Sequence, residues 1–459
     1  ISIYDKRTSK VYLIRDRVGI KPLFYSDHGG YFLWGSELKA IKAFHEERSL
    51  SIDNTAVYDF LTYSYIPSPK TYYNEVRKLE AGHVLEFDIG MGKSTLRCYW
   101  KLKTDVKRVP KQEAARKVFE LLTKSIDEQM VADVPIGFFL SGGMDSSVLV
   151  ALAAESYGAL NTFSIGFSDK GHDETSFAKI VAEKCATKHE MRELDLQYST
   201  DLLKSYKEWF DEPFSDTSAI PTYLVSKIVR EKCLVAISGD GGDELFGGYS
   251  WYPKFIKYNG YCKIKTKLFN KLLSAFKGVG GKLGSLATIV ETRYVLSGVE
   301  LYARLMGGLI KSEKKKYRDA LNIEDTYDDY WLYRKHYDES LSDYKRLQVL
   351  DFHTFLPDDV LSYFGRKVGA VICDLSPQVS GNWSVDHARQ ISLNYDCTKI
   401  MDKVLAHRGN AVFKVFDGEY TLEFRDYIKK KFARINLTKP DASRKQSSEL
   451  YCVCMGFTG

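Results

Sequence analysis

The stretch "FFLSGGMDSSVLVALAAES", Phe138–Ser156, decides how most of this chain folds. Phe138–Leu140 reads as the end of a strand, Val148–Ala154 as the body of a helix, and glycines and serines fill the turn between them. In a strand, glycine turn and helix, successive backbone N–H groups converge on an anion at the helix N-terminus. Ser141, Ser146 and Ser147 add hydroxyl donors. Asp145 is the odd member, because a carboxylate beside a phosphate repels it unless a divalent cation bridges the two. A polar helix cap would account for an isolated Ser-Gly-Gly. The whole Ser-Gly-Gly-x-Asp-Ser-Ser, after an apolar run, asks for a phosphate.

Outward from this loop, strands and helices alternate. "LNTFSIGF" (160–167), "HEMREL" (189–194) and "LVAIS" (234–238) read as strands. "DETSFAKIVAEKC" (173–185) and "TSAIPTYLVSKIVREK" (217–232) carry apolar residues at helical spacing. Such alternation predicts a doubly wound parallel sheet with helices on both faces. A second acidic glycine stretch, "AISGDGGDELFGGYSWY" (236–252), again follows a strand. Both loops would then leave the C-terminal edges of strands, where such sheets bind ligands. Asp145 and Asp243 would share a metal there, and Asp240 would act on a proton or an ammonium.

Composition sets the frame. At roughly 150 residues per domain, 459 residues predict two to four domains. With 44% apolar and 27% charged residues the chain reads as globular, and a net charge of +6 is too diffuse for a dedicated nucleic-acid binder. Eight cysteines occur without a C-x-x-C pair, which favours reduced thiols and a cytoplasmic setting over zinc or disulfides. No apolar run reaches the ~18 residues of a membrane span. Residues 1 to about 100 are β-rich, as in "KVYLIRD", "GYFLWGS" and "HVLEFDI", and the chain is expected to begin inside a domain.

Six phrases, "LSGGMDSS", "TFSIGF", "DETSFAKIVAEK", "EPFSDTSAIPTYLVSK", "ISGDGGDELFGGY" and "DFHTFLPDD", make residues 1 to about 356 similar to the glutamine-hydrolysing asparagine synthetase family. The resemblance implies residues 1–103 as the C-terminal part of an N-terminal nucleophile glutaminase β-sandwich, and residues 104–358 as an ATP-pyrophosphatase domain. That domain would use ATP and Mg²⁺ to adenylate the side-chain carboxylate of aspartate or a related acid, with ammonia then displacing AMP. By position, Leu140, Ile165, Ser238 and Gly239 would contact ATP. Ser141, Gly142, Gly143, Asp145 and Ser146 would hold the pyrophosphate, with Asp145 and Asp243 on Mg²⁺. The family often has Glu where this chain has Asp240, a change that shortens the reach of the general base. The family nucleophile is an N-terminal Cys, whereas residue 1 here is Ile, so this chain is expected not to hydrolyse glutamine.

After "LPDD" the family would continue with a basic helical segment bearing a lysine near the ATP phosphates. This sequence departs from that pattern. From about Leu361, "LSYFGRKVGAVICDLSPQVSGNWSVDHARQ", "GNAVFKVFDGE" and "KPDASRKQSSELYCV" resemble the ribosomal-RNA 2′-O-ribose methyltransferase family. That resemblance implies residues 361–459 as the C-terminal half of a Rossmann-like domain. Asp374, Lys414 and Glu449 would be three members of a Lys-Asp-Lys-Glu catalytic set. S-adenosylmethionine would bind only if the domain were complete, and the basic stretch "KKKFARINLTKPDASRK" would contact RNA. Two partial reading frames are expected to meet near residues 356–366. Besides a synthetase, the sequence therefore admits a methyltransferase fragment or an inactive fusion of two truncated enzymes. Its oligomeric state is not legible.

Overall fold

The apolar alternation of the first hundred residues becomes seven short strands. They are β1 (Ser2–Asp5), β2 (Lys10–Ile14), β3 (Phe24–His28), β4 (Tyr31–Gly35), β5 (Val76–Lys78), β6 (His83–Asp88) and β7 (Lys93–Cys98). The computed structural model describes residues 1–45, 50–104, 109–167, 175–194, 206, 210–261, 263, 267–279, 281–361, 368–373, 383–439 and 449–458. Its contacts divide into two compact units. One holds Ile1–Ile20, Asp53–Tyr72 and Glu80–Phe364; the other holds Lys21–Ile52, Tyr73–Leu79 and Gly365–Gly459.

In the first unit, β1, β2, β6 and β7 form an antiparallel sheet in that order. Its period-2 pattern buries Val11, Leu13, Leu85 and Phe87 while the intervening residues stay partly open. The next four strands, β8 (Ile136–Phe139), β9 (Asn161–Phe167), β10 (Lys188–Leu194) and β11 (Val235–Ile237), pair parallel in the order β10-β9-β8-β11. Phe138 and Phe139 point to opposite faces, as neighbours in a strand must. Phe138 packs with Ile126, Val150, Ala153, Ala178 and Ala182 of three helices, Lys111–Gln129, Met144–Tyr157 and Thr175–Lys184. Phe139 packs with Phe163 and with Val225, Ile228 and Val229 of the helix Ala219–Arg230. Helices thus cover both faces. Because β9 and β11 flank β8 on opposite sides, the strand order reverses there, and in sheets of this kind the crevice lies at that reversal.

The Tyr-rich stretch after residue 250 spends its aromatic rings internally. Tyr252, Phe255, Tyr302, Tyr333, Leu347 and Leu350 make one buried cluster with Tyr63 and Tyr65 from the N-terminal region. Asp351 accepts hydrogen bonds from the Tyr252 hydroxyl (2.6 Å) and the Tyr302 hydroxyl, and burial still pushes its carboxyl up to about 7. The helix Asn54–Tyr63, capped by the Asp53 side chain, is bound to residues 314–331 by a buried polar network. In it, Asp59 accepts from Lys70 Nζ (2.7 Å), Trp331 Nε1 (2.9 Å) and the Tyr327 hydroxyl (2.8 Å). The helix Asn54–Tyr63 and the helical stretch after residue 250 therefore share one core.

The second unit contains an antiparallel sheet β4-β3-β5 and a four-stranded sheet made from β12 (Val368–Cys373), β13 (Leu405–Phe416), β14 (Phe432–Thr438) and β15 (Glu449–Phe457). The latter runs in the order β12-β13-β15-β14, with β12–β13 parallel and the other two pairings antiparallel. Helices Trp383–Val404 and Thr421–Lys429 supply Ile391, Met401, Phe424 and Ile428 to its core, against Phe413, Val415, Cys452 and Cys454. Among the described residues no helix is long and apolar enough to cross a membrane.

Candidate active site

Both acidic glycine loops leave the C-terminal ends of adjacent strands of the parallel sheet. The Ser141 loop follows β8, the Ser238 loop follows β11, and β8 and β11 pair over Ile136–Phe138 and Val235–Ile237. They meet where the strand order reverses. A cavity of about 950 Å³ opens over them, within the range of small-molecule and cofactor sites.

The first loop is held by its own hydroxyls. Ser141 Oγ accepts from Gly143 N (3.1 Å) and lies 3.0 Å from Ser146 Oγ, which itself accepts from Ser141 N (3.2 Å). Ser147 Oγ donates to Gly143 O (2.7 Å), so the first turn of the helix Met144–Tyr157 is tied back onto the loop. Gly142 takes φ +89, a left-handed conformation that favours glycine and lets the chain reverse into the helix. Leu140 is buried and bonded to β9, its N donating to Phe163 O (2.9 Å) and its O accepting from Ser164 Oγ. Gly143 stands at the helix N-cap with no side chain in place, which leaves the first N–H groups for another acceptor.

The second loop packs directly on this helix start. A Cβ built on Gly239 would stand 3.1 Å from both Asp145 Cβ and Ser146 N; one on Gly242 would stand 2.6 Å from Asp145 Cγ. Glycine is required at both places by close approach. Asp243 turns toward Gly248, where an added Cβ would overlap its Oδ1. Glu244 is buried and accepts from the Tyr249 hydroxyl (2.7 Å).

The electrostatics of the cavity are one-sided. Asp145, Asp216, Asp240 and Asp243 line it, and among its described lining residues there is no lysine, arginine or histidine. Burial raises the Asp145 carboxyl. Burial, and then the charge of Asp145, raises that of Asp243. Asp240 reaches solvent in the cavity yet has protein around most of it; desolvation lifts its carboxyl against a 2.6 Å hydrogen bond from Ser238 Oγ. Asp145 has no hydrogen-bond or ion-pair partner among the described residues.

These residues fit a divalent cation. The Asp145 charge works against that of Asp243 in a cavity whose described lining holds no protein cation, which is the arrangement a metal relieves. Among the described residues no group of three or more His, Cys, Asp or Glu would hold a metal ion alone. Mg²⁺ suits such a site, since it binds through one or two carboxylates and completes its shell with phosphate oxygens and water.

All the residues singled out from the sequence around this cavity come together. Leu140, Ser141, Gly143, Asp145, Ser146, Ile165, Ser238, Gly239, Asp240 and Asp243 line it, and Gly142 lies in the loop between them. The structure adds Asp216, Trp251 and Phe355 to the walls. Asp216 falls inside the quoted "EPFSDTSAI", but nothing in that phrase marked it as facing the cavity.

In the second unit, Lys414 is 5% exposed, and its carbonyl accepts from Asn394 Nδ2 (2.8 Å) and from Gln390 Nε2. Lys414 pairs with Tyr451 and Phe416 with Glu449, which sets Lys414 and Glu449 at diagonal register positions of β13 and β15. Asp374 and residues 362–366 of the junction lie outside the described residues, as does the Glu449 side chain.

Comparison with known proteins agrees with this division. Residues 1–100 match the glutamine amidotransferase domain, 117–369 the asparagine synthase family, and 330–457 the FtsJ-like methyltransferase family. The last two matches overlap over 330–369, where the sequence passes from one resemblance to the other. Asparagine synthetase [glutamine-hydrolyzing] 1 of Bacillus subtilis is 30% identical over 367 residues, 78% of this chain and 56% of that protein. Ribosomal RNA large subunit methyltransferase E of Nitrosopumilus maritimus is 86% identical over 102 residues, 22% of this chain and 52% of that protein. The protein of the same name in Cenarchaeum symbiosum is 66% identical over 104 residues, 23% of this chain and 53% of that protein. The chain spans about half the length of each of these curated relatives. An FtsJ-like methyltransferase region closes the chain, and by the match that covers more than half of it, 117–369, the chain belongs to the asparagine synthase family.

Proposed function

We propose that the parallel-sheet unit is an ATP-dependent carbon–nitrogen ligase. It adenylates the side-chain carboxylate of aspartate or a related acid, releases pyrophosphate, and lets ammonia displace AMP to form the amide. The observation that carries this reading is the meeting of the Ser141 and Ser238 loops at one helix N-terminus, with Asp145 set against Gly239 and Gly242. Ser141, Gly142, Gly143 and Ser146 hold the pyrophosphate part through N–H and hydroxyl groups, and Leu140, Ile165, Ser238 and Gly239 contact the nucleotide. Asp145 and Asp243 hold Mg²⁺, which supplies charge neutralisation for the phosphates. Asp240, with its raised carboxyl, takes the proton that the attacking nitrogen sheds.

The test is exchange of labelled pyrophosphate into ATP, dependent on aspartate and Mg²⁺, followed by amide formation with ammonium as nitrogen donor. Ammonium bypasses any need for glutamine. Exchange that ignores both the carboxylate and the metal would end the proposal.

A finer prediction follows from the tight contact at Gly242. Gly242→Ala places a methyl where the Asp145 carboxyl stands, so Asp145 must move by an ångström or so. A shift of that size at a reacting centre costs on the order of a hundredfold in rate. The exchange rate should fall by about that factor while the thermal midpoint changes little. An unchanged rate would show that Asp145 need not sit where it does.

A second reading attaches to the other unit. Asp374, with Lys414 and Glu449 following it in sequence at diagonal register positions of β13 and β15, would deprotonate a ribose hydroxyl for methylation by S-adenosylmethionine, with the basic C-terminal stretch on RNA. The 86% identity to a methyltransferase favours it, but only over 52% of that protein's length.

A further inference from the structure

From Leu245 to Val290 the chain holds eight lysines and no aspartate or glutamate. The second half of that run folds as two helices of the first unit, Lys267–Val279 and Gly281–Tyr294, which pack against each other. Their inner side is closed. Leu273, Gly284, Ala287 and Thr292 are buried, and a Cβ on Gly284 would stand 3.3 Å from the Lys277 carbonyl oxygen, so the two backbones approach closely there. Lys277 Nζ lies 2.7 Å from Glu291 and 2.9 Å from Glu313, and Arg304 Nη2 lies 2.6 Å from Glu313. Both acids are thereby neutralised from within the fold.

The outer side differs from an ordinary solvated helix surface. Leu272 and Phe276 on the first helix, and Leu283, Leu286 and Ile289 on the second, are 47–57% exposed. Positions 282, 286, 289 and 293 recur at helical spacing, so Lys282, Leu286, Ile289 and Arg293 fall along one face, with an exposed cation at each end. Lys271, next to Leu272, is exposed as well. Such a face asks for an occupant that is apolar and anionic at once. An isologous pairing of two copies would set Lys282 and Arg293 against their own counterparts, with no acid in residues 245–290 between them. A nucleic acid would match the cations and leave the leucine and isoleucine side chains in water. The surface of an anionic bilayer satisfies both, with the cations among its phosphates and the aliphatic residues at the acyl boundary. At 13 and 14 residues neither helix reaches the ~20 residues that crossing a bilayer takes, so the pair would lie on the membrane rather than span it.

We infer that the outer face of this helix pair is a docking surface for an anionic lipid bilayer, which holds the synthetase-like unit at a membrane surface. The inference does not depend on the ligase reading, because none of these residues lines the cavity of the two glycine loops.

The full 459-residue chain is sedimented with vesicles of phosphatidylcholine alone and with vesicles of equal parts phosphatidylcholine and phosphatidylglycerol. Binding is expected to the second only, and it should weaken as salt rises. Lys271→Gln and Lys282→Gln should each lower the partition coefficient about fivefold. Leu286→Ser combined with Ile289→Ser should lower it by at least about tenfold while the thermal midpoint holds, because both side chains are already half exposed. That double variant also separates this face from the basic stretch near the C-terminus, which it leaves intact. The inference is overturned if anionic vesicles are not bound, if neutral vesicles are bound as well as anionic ones, or if the serine variant binds like the parent. A dimer in sedimentation velocity that the serine substitutions dissolve would overturn it too.

Discussion

Asp145→Ala is expected to lower the carboxylate-dependent ATP–pyrophosphate exchange by about 10²- to 10³-fold, the range seen when one charge-stabilising group is removed from a transition state. Asp145 stands in the first turn of the helix that would receive the phosphates in the proposed reaction, and its charge raises the Asp243 carboxyl. Its loss would remove one of the two carboxylates proposed to hold the cation, in a cavity whose described lining offers no basic side chain to take over. Stability should move the other way, or not at all. The Asp145 carboxyl is raised by burial and in turn raises that of Asp243, so the pair is held together at an electrostatic cost. Alanine relieves that repulsion, and the thermal midpoint of the variant should equal or exceed that of the parent. Asp145→Asn keeps the shape without the charge and should rank with alanine in exchange rate, because the cation needs the charge. Raising Mg²⁺ should recover part of the loss for either variant. Exchange at the parental rate in Asp145→Ala would remove the metal role from this residue.

The loop chemistry was legible because it is local. Ser141–Ser147 and Gly239–Gly242 announce a turn, a helix start and close backbone approach, and these properties need no knowledge of the rest of the chain. The alternation around them was enough to predict a parallel sheet with helices on both faces, which Phe138 and Phe139 now show by serving opposite cores. Contacts made at long range were not legible. Asp351 sits in an ordinary helical stretch, and only the fold brings Tyr252 and Tyr302 to it. The Asp59 network joins residues more than 250 positions apart, as the Tyr327 hydrogen bond shows, and no periodicity records such a pairing. The same holds for the N-terminal strands, whose alternation predicts strands but not which unit each one joins. The change from one family to another after residue 356 was readable only as a change of phrase, since local propensity is continuous across it.

Asp329→Ala should be the most damaging single substitution to the stability of the parallel-sheet unit. Its carboxylate receives Lys314 Nζ at 2.9 Å, Arg318 Nη2 at 2.5 Å and the Tyr58 hydroxyl at 2.8 Å. Lys314 is fully buried and rests 3.9 Å from the centre of the Tyr58 ring, while Arg318 is 6% exposed. Burial already depresses the Lys314 ammonium, and Asp329 is what holds it in the charged form. Deleting the carboxylate leaves two buried cations side by side, and breaking a buried pair in this way costs about 3–5 kcal/mol. The cost is read as a shift in urea unfolding of the full chain followed by tryptophan fluorescence, with Trp331 two residues from the substitution. Lys314→Met supplies the contrast. It removes a desolvated charge, keeps the apolar stem over Tyr58, and leaves Arg318 to satisfy Asp329, so it should change stability by less than about 1.5 kcal/mol. Combining Lys314→Met with Asp329→Ala should recover part of the single-mutant loss, because only one cation then remains unpaired. Equal losses for Asp329→Ala and Lys314→Met would mean that packing, not charge balance, decides this site. Since Tyr58 belongs to the glutaminase-like segment and Lys314, Arg318 and Asp329 to the synthetase segment, the same measurement tests whether those two family segments unfold as one. A single cooperative transition for the unit, displaced as a whole by Asp329→Ala, is the expected result; separate transitions for the two segments would contradict it.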